Sequence, residues 1–404
     1  MSPTEAGLAG RAGWAGDSAQ ALPHDSADAV LVGRIWVPGV GGPAVVTVRD
    51  GVAYDIGESF PTMRALTEHP EPALSAREAS GPAVGEVGDL LANASMDGDP
   101  AKPRLLSPLD LHVVKAAGVT FPVSMIERVI EERAGGDAGS ADRIRETVLA
   151  ALGADLSELV PGSEAAMRLK RTLVAEGMWS AYLEVGIGPD AEVFTKAPVL
   201  STVGSGAEVG VRGDSEWNNP EPEVVLVVSS AGRAVGAALG NDVNLRDIEG
   251  RSALLLGQAK DNNGSAAVGP FIRLFDGGFG IEELRQEVVT LHVSGDDGFE
   301  LEATSPLAAI SRDPLDLVGQ TIGARHQYPD GFALYLGTMF APTKDRDQPG
   351  MGFTHHPDDV VRISSPRLGS LVNWVRRSED LPPWTFGVGA LMANLAERGL
   401  LRGR

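Results

Sequence analysis

The sequence predicts an α+β protein, mostly β, with a smaller N-terminal β domain, a larger C-terminal β region and a helical segment between them. Three observations carry this. Short β-branched runs bounded by Gly and Pro turns occur near the N-terminus and again after residue 192. A 3.6-residue apolar period runs through much of Phe121 to Glu184. The chain has 404 residues, 43% of them hydrophobic, enough apolar surface for two domains.

Residues 1–28, rich in Ala, Gly, Ser and Asp, read as a mobile tail. Residues 29–104 form the small β domain, with the runs V-L-V-G-R-I-W-V and P-A-V-V-T-V between turn residues. The stretch D-G-D-P-A-K-P at Asp97 to Pro103 marks its boundary with residues 105–404. Met125, Ile126, Val129 and Ile130 make one helical stripe, as do Ile144, Val148, Leu149 and Leu152 further on. Ser163 to Ala181, with Met167, Leu173, Val174 and Met178, reads as another helix. From Glu192 the expected strands are Glu192–Lys196, a hairpin over Val224–Leu239, Val288–Val293, Phe332–Leu336 and Val360–Ser364.

Composition excludes several functions. A net charge of −21 opposes binding to nucleic acid or to an anionic membrane surface. The chain has no cysteine, so disulfides, thiol nucleophiles and thiolate metal sites are ruled out. Met1 to Asp17 lacks the basic and apolar regions of a secretory signal, and no apolar run approaches the ~20 residues of a membrane helix. The expectation is a cytoplasmic protein.

The hairpin carries the chemistry. With Ala231 and Gly232 as a two-residue loop, Ser230 pairs with Arg233, Glu221 falls opposite Asp242 and Glu223 opposite Gly240. Side chains repeat every two residues and paired residues share a face, so Glu221, Glu223 and Asp242 project together from one end. Three oxygen ligands with room left for water and a chelating substrate suit Mg²⁺; Mn²⁺ or Ca²⁺ would be accepted by similar ligands. A solvated acidic strand end is the competing account. V-G-S-G-A-E-V-G at Val203 to Gly210 lacks the G-K-[ST] ending of a phosphate loop and reads as a turn, and His355-His356 reads as a loop pair.

E-P-E-V-V-L-V-V, G-N-D-V-N-L-R-D and Q-A-K-D-N-N-G-S-A-A-V-G-P-F-I, preceded by F-T-K-A-P, resemble the core of the fumarylacetoacetate hydrolase superfamily over about residues 105 to 380. Within it the chain most resembles the dehydratases of 2-keto-3-deoxy-pentonates, which carry an added N-terminal β domain. The resemblance implies a mixed β-sandwich or roll, a homodimer or homotetramer, and a small-molecule 2-keto acid as substrate. Hydrolase members carry a Y-x-x-H-x-x-E lid. The matching stretch here is Phe121 to Glu127, with Ser124 where the histidine would stand. Serine cannot take a proton from water near neutral pH without a partner base, and of the histidines only His112 is near in sequence. Ser124 and Glu127 also read as a capping box, S-x-x-E, opening a helix.

The resemblance places Lys260 at the active-site lysine, where partial desolvation near a metal would lower its pKa and make a neutral amine accessible; a salt bridge to the acids is the bland alternative. Lys196 either orients a substrate carboxylate or supports the site. Glu192 sits where dehydratases place an acid, on one strand face with Phe194 and Lys196, or is a surface glutamate at a strand edge. Lys260 or Glu192 would take a C3 proton, and Glu192 or a water it holds would protonate the departing C4 hydroxyl. Arg212, Asn219 and Arg246 are candidates for balancing charge or holding hydroxyls. Asp247 either supports a ligand or faces substrate. Thr338 falls in G-T-M-F-A-P, where the family carries a carboxylate-binding G-T-P turn.

Three functions follow: a Mg²⁺-dependent dehydratase of a D-xylonate- or L-arabinonate-derived 2-keto-3-deoxy-pentonate, giving 2-oxoglutarate semialdehyde in pentose catabolism; an acylpyruvate or diketo-acid hydrolase, with Glu127 or Glu192 positioning water; or a non-catalytic β protein that binds a cation.

Overall fold

Strand β10 (Pro222–Val228) pairs antiparallel with β11 (Ala234–Asp242) at the centre of the molecule, and both are buried along nearly their whole length. That explains the unbroken apolar run of the sequence, since a strand covered on both faces has no polar side to alternate with. Val224, Leu226 and Val228 enter one core, and Val225 and Val227 enter another. The computed structural model describes residues 18–401 except 142, 146–158, 176, 178 and 341. Most of the expected tail, together with Val148, Leu149, Leu152 and Met178, lies outside these residues.

The hairpin belongs to an 11-stranded sheet. On one side β11 pairs with β13 (Ala266–Leu274), which joins β1 (Leu31–Val37), β2 (Gly42–Arg49), β3 (Val52–Asp55) and β4 (Ala83–Glu86), with β5 (Arg104–Leu106) also on β1. The N-terminal strands are thus hydrogen-bonded into the central sheet, through Leu31–Arg273 and Val32–Ile272. On the other side β10 is followed by β16 (Phe332–Tyr335), β6 (Val113–Gly118) and the edge strand β7 (Glu192–Ala197). A second, five-stranded sheet runs β15 (Glu300–Pro306), β14 (Val288–Ser294), β17 (Val360–Ser365), β18 (Gly369–Arg377) and β8 (Glu208–Val211). Leu291, Val293, Ile363, Leu371 and Val375 from this sheet meet Val224, Leu226 and Leu239 to form the core between the two. A two-stranded pair, β9 (Asn218–Asn219) with β12 (Asn244–Leu245), brackets the acidic end of the hairpin. The result is the α+β architecture that the sequence predicts.

The hairpin turn differs from the expected one. Ser229, rather than Ser230, bonds to Arg233, and Gly232 accepts the left-handed φ of 76° that the three-residue loop requires. A bulge beside Val228 then adds one residue and restores the register, so Glu223 still lies opposite Gly240 and Asp242 N donates to Glu221 O at 3.0 Å.

The helix Pro122–Ala134 buries Met125, Val129 and Ile130, as its periodicity predicts. Proline at its first position suits a helix start. Ser163 to Ala181 is not one helix: Glu164–Ala175 ends, and Ser180 caps a separate helix Ala181–Ile187 by accepting from Leu183 N. Among the described residues no helix is long and apolar enough to cross a membrane.

Candidate active site

Glu221 and Glu223 stand at the start of β10 and its approach, and Asp242 ends β11. Their carboxylates lie buried, with one oxygen of each within 4.8 Å of the others. Such a hard-oxygen set fits a divalent cation. The electrostatics fit as well. Burial, then the charges of Asp242 and Glu221, push the Glu223 carboxyl well above its usual range. Its oxygens accept from Gly337 N at 2.7 Å and Thr338 Oγ1 at 3.3 Å, both neutral donors. Glu221 shows the reverse. Burial works against its charge, but the Arg128 guanidinium and the Lys260 ammonium outweigh it and hold the carboxyl at about 2.

Lys260 ends the short helix Leu256–Lys260 and bonds both Glu221 and Asp242, the latter at 3.2 Å. The expected neutral amine is not what this geometry gives. Burial favours deprotonation, yet Asp242, Glu221 and Glu249 together overcome it and hold the ammonium above its ordinary range. Lys196 lies behind them, 2.8 Å from Asp242 and bonded to Val243 O at 3.2 Å and to Lys260 O. Its pKa is lowered by burial, which outweighs the pull of Asp242. A bulge in the β6–β7 pairing at this point takes Lys196 out of simple alternation with Glu192 and Phe194.

These groups open on a cavity of about 20 Å³, room for about one water. Glu221, Glu223, Asp242, Lys260, Glu192, Ser124 and Thr338 line it, so most of the expected residues converge. Glu192 faces it from the edge strand, its carboxyl raised by burial. No histidine is among the lining residues; His112 is buried elsewhere, against Thr67 at 2.9 Å. A larger cleft of about 760 Å³ lies near Asp25 and Thr47, but its Arg273 and Arg77 are ion-paired to Asp25 and Asp276, and among the described residues no carboxylate triad stands there.

The structure places six of the expected residues away from the roles read for them or outside the cavity lining. Ser124 is not a cap: the helix begins two residues earlier, and the Ser124 hydroxyl donates back to Phe121 O at 2.9 Å. Glu127 is turned away from the cavity, to Arg145 at 2.8 Å and Arg246 at 3.3 Å. Arg246 therefore serves a buried ladder, reaching Glu131 at 2.6 Å and stacking 4.5 Å from the Trp217 ring. Arg212 pairs with Asp214 and Gln258 outside the cavity. Asn219 is buried and donates to Pro220 O, and Asp247 accepts from Ser215 and Glu216 N. Two charged lining residues were missed, Arg128 and Glu249. Arg128 lies one helical turn beyond Ser124, on the same face, a spacing that could have revealed it. Its Nη1 is 2.7 Å from Glu131 and 2.9 Å from Glu249, and its Nη2 bonds Glu221. The Glu249 carboxyl is pushed up to about 7 by burial, which Arg128 only partly offsets.

No family model matches the chain. It is similar to the 2-dehydro-3-deoxy-D-arabinonate dehydratase of Saccharolobus solfataricus, 30% identical over 190 residues, which are 47% of this chain and 60% of that protein. It is also similar to a Haloferax volcanii protein named "probable 2-keto-3-deoxyxylonate dehydratase", 29% identical over 333 residues, 81% of this chain and 93% of that one. A solved fumarylacetoacetate hydrolase from psychrophilic Exiguobacterium antarcticum superposes with a TM-score of 0.52 at 15% identity, covering 86% of this chain and 99% of that one. The chain shares the fold of that protein. Another structure with this fold, 2-keto-3-deoxy-D-arabinonate dehydratase complexed with magnesium and 2,5-dioxopentanoate, superposes with a TM-score of 0.58 at 21% identity, over 86% of this chain and 99% of that chain. Within this fold the chain places its acidic triad at the end of the central hairpin and a serine, rather than a histidine, on the helix above it.

Proposed function

We propose that the protein is a Mg²⁺-dependent dehydratase that converts a 2-keto-3-deoxy-pentonate to 2,5-dioxopentanoate, the semialdehyde of 2-oxoglutarate. The observation that carries this reading is a cleft holding three buried carboxylates, a charged lysine and a raised glutamate, with no histidine to activate water. The names of the two similar curated proteins point the same way.

Glu221, Glu223 and Asp242 would hold the cation, which when bound supplies Lewis-acid stabilisation for negative charge on a 2-keto oxygen. Glu192, its carboxyl raised by burial, is a stronger base than an exposed glutamate and takes the C3 proton. Its acid form then gives that proton to the C4 hydroxyl, which leaves as water as the C3–C4 double bond forms. Two proton shifts complete the product, from C5 to C3 and from the C5 hydroxyl to C4. Lys260 remains an ammonium throughout and balances charge that builds beside Glu221 and Asp242. Thr338 and Gly337 keep Glu223 oriented through their hydrogen bonds.

The test is incubation of purified protein plus Mg²⁺ with a panel of 2-keto-3-deoxy aldonates, both C4 epimers included, assayed for the semialdehyde. One keto-aldehyde product supports the dehydratase. A blank panel together with two-fragment cleavage of an acylpyruvate would replace it with a hydrolase.

A further inference from the structure

Both oxygens of Glu221 are already engaged by cations, Oε1 by Arg128 and Oε2 by Lys260. The three cations of the site are not equally able to yield. Lys196 is fully buried and tied to two backbone carbonyls, and Lys260 is gripped by two carboxylates at once. Arg128 differs because its Nη1 keeps two acidic anchors, Glu131 and Glu249, while only Nη2 reaches Glu221. Nη2 can therefore leave Glu221 without setting the guanidinium adrift in a buried site. A divalent cation on Glu221 would repel the guanidinium strongly in these low-dielectric surroundings. The cavity, at about 20 Å³, also admits a chelating acid only if a contact across it opens. The freed edge of a guanidinium is a planar donor suited to a carboxylate.

We propose that Arg128 is the counter-ion that Glu221 exchanges for the divalent cation, and that its released Nη2 edge then takes the carboxylate of the incoming 2-keto acid. Metal thus binds before substrate, and the helix Pro122–Ala134, which carries Arg128, senses the exchange. The substrate half of this inference rests on the keto-acid reading above; the metal half does not.

The experiment is calorimetric titration of the full-length protein, first with Mg²⁺ alone and then, Mg²⁺-loaded, with pyruvate as the smallest 2-keto acid. Arg128→Gln removes the competing charge, so Mg²⁺ binds at least about tenfold tighter, while pyruvate binds roughly tenfold or more weaker. Arg128→Lys keeps a charge but loses the fork, so Mg²⁺ affinity stays near the wild type and pyruvate binding still falls; this variant carries the test if Arg128→Gln does not fold. Equal or weaker Mg²⁺ binding in Arg128→Gln, or unchanged pyruvate binding in Arg128→Lys, would overturn the proposal. A blank substrate panel with the Mg²⁺ gain intact would instead sink the dehydratase reading and leave the metal exchange standing.

Discussion

Gly118 faces Glu192 across the β6–β7 pair, and a Cβ at position 118 would come 2.0 Å from Glu192 Oε2. The glycine is what lets the carboxylate lie flat against the neighbouring strand at the cavity wall. Gly118→Ala pushes only the far end of a flexible side chain, so stability should stay within about 1 kcal/mol of the wild type. Turnover should fall roughly a hundredfold, because a shift of about 1 Å misplaces the proposed base. Thermal unfolding beside steady-state rates checks this; a variant with wild-type turnover would remove Glu192 from the proton-transfer role.

Lys260→Met leaves Glu221 and Asp242 short of a buried partner, and breaking such a pair costs about 3–5 kcal/mol. Denaturant midpoints in the absence of metal should show that loss. Mg²⁺ should restore part of it, since a cation among the triad supplies the missing charge. A midpoint that does not respond to Mg²⁺ would mean that the triad does not bind it.

The acidic triad was legible because a hairpin couples residues 21 apart in sequence through one register, and the register survived an error in the turn. A one-residue bulge beside Val228 offset the miscounted loop, so Glu221 still met Asp242. The strand content was legible for a related reason: runs such as Val224–Val228 are apolar on both faces. What the sequence did not show was which charged residues pair with one another. Arg212 lies only nine positions before Glu221, yet it turns outward to Asp214, whereas Arg128, 93 residues away, reaches Glu221 itself. Proximity along the chain says little about ion pairing once a helix and a sheet edge fold back on a hairpin. The direction of the Lys260 shift was misjudged similarly, because it is the sum of three carboxylates, one of them Glu249, which nothing in its own segment singled out.

Glu249 gives a pH signature. Its pKa is raised from its ordinary value to about 7, so between about pH 4.5 and 7 the folded protein holds a proton that the unfolded chain has released. Stability from this group is therefore full below that window and is lost as pH rises through it. Glu249→Gln mimics the protonated form and should lack the loss. The difference between variant and wild type should grow with pH across the window, to about 3 kcal/mol, and level off above it. Unfolding midpoints at several pH values in metal-free buffer check the sign; a difference that shrinks as pH rises would contradict it.

Glu223→Gln separates fold from metal. The Glu223 carboxyl is held well above its usual range by burial and by the charges of Asp242 and Glu221, and both its contacts are donors, Gly337 N and Thr338 Oγ1. An amide oxygen accepts from one of these as the carboxyl does, and glutamine fixes the neutral state that the raised carboxyl already favours. Without metal the variant should then be as stable as the wild type or more so, at neutral pH. Its loss should appear elsewhere: with one of three anionic ligands gone, the Mg²⁺-induced rise in melting temperature should vanish and turnover should fall at least about a thousandfold, the scale of removing a preorganised electrostatic group from an active site. A variant destabilised in metal-free buffer would show that Glu223 is charged and structurally paired there. A variant that keeps its Mg²⁺ response would take Glu223 out of the metal site and leave Glu221 and Asp242 as the only acids of the trio to hold the ion.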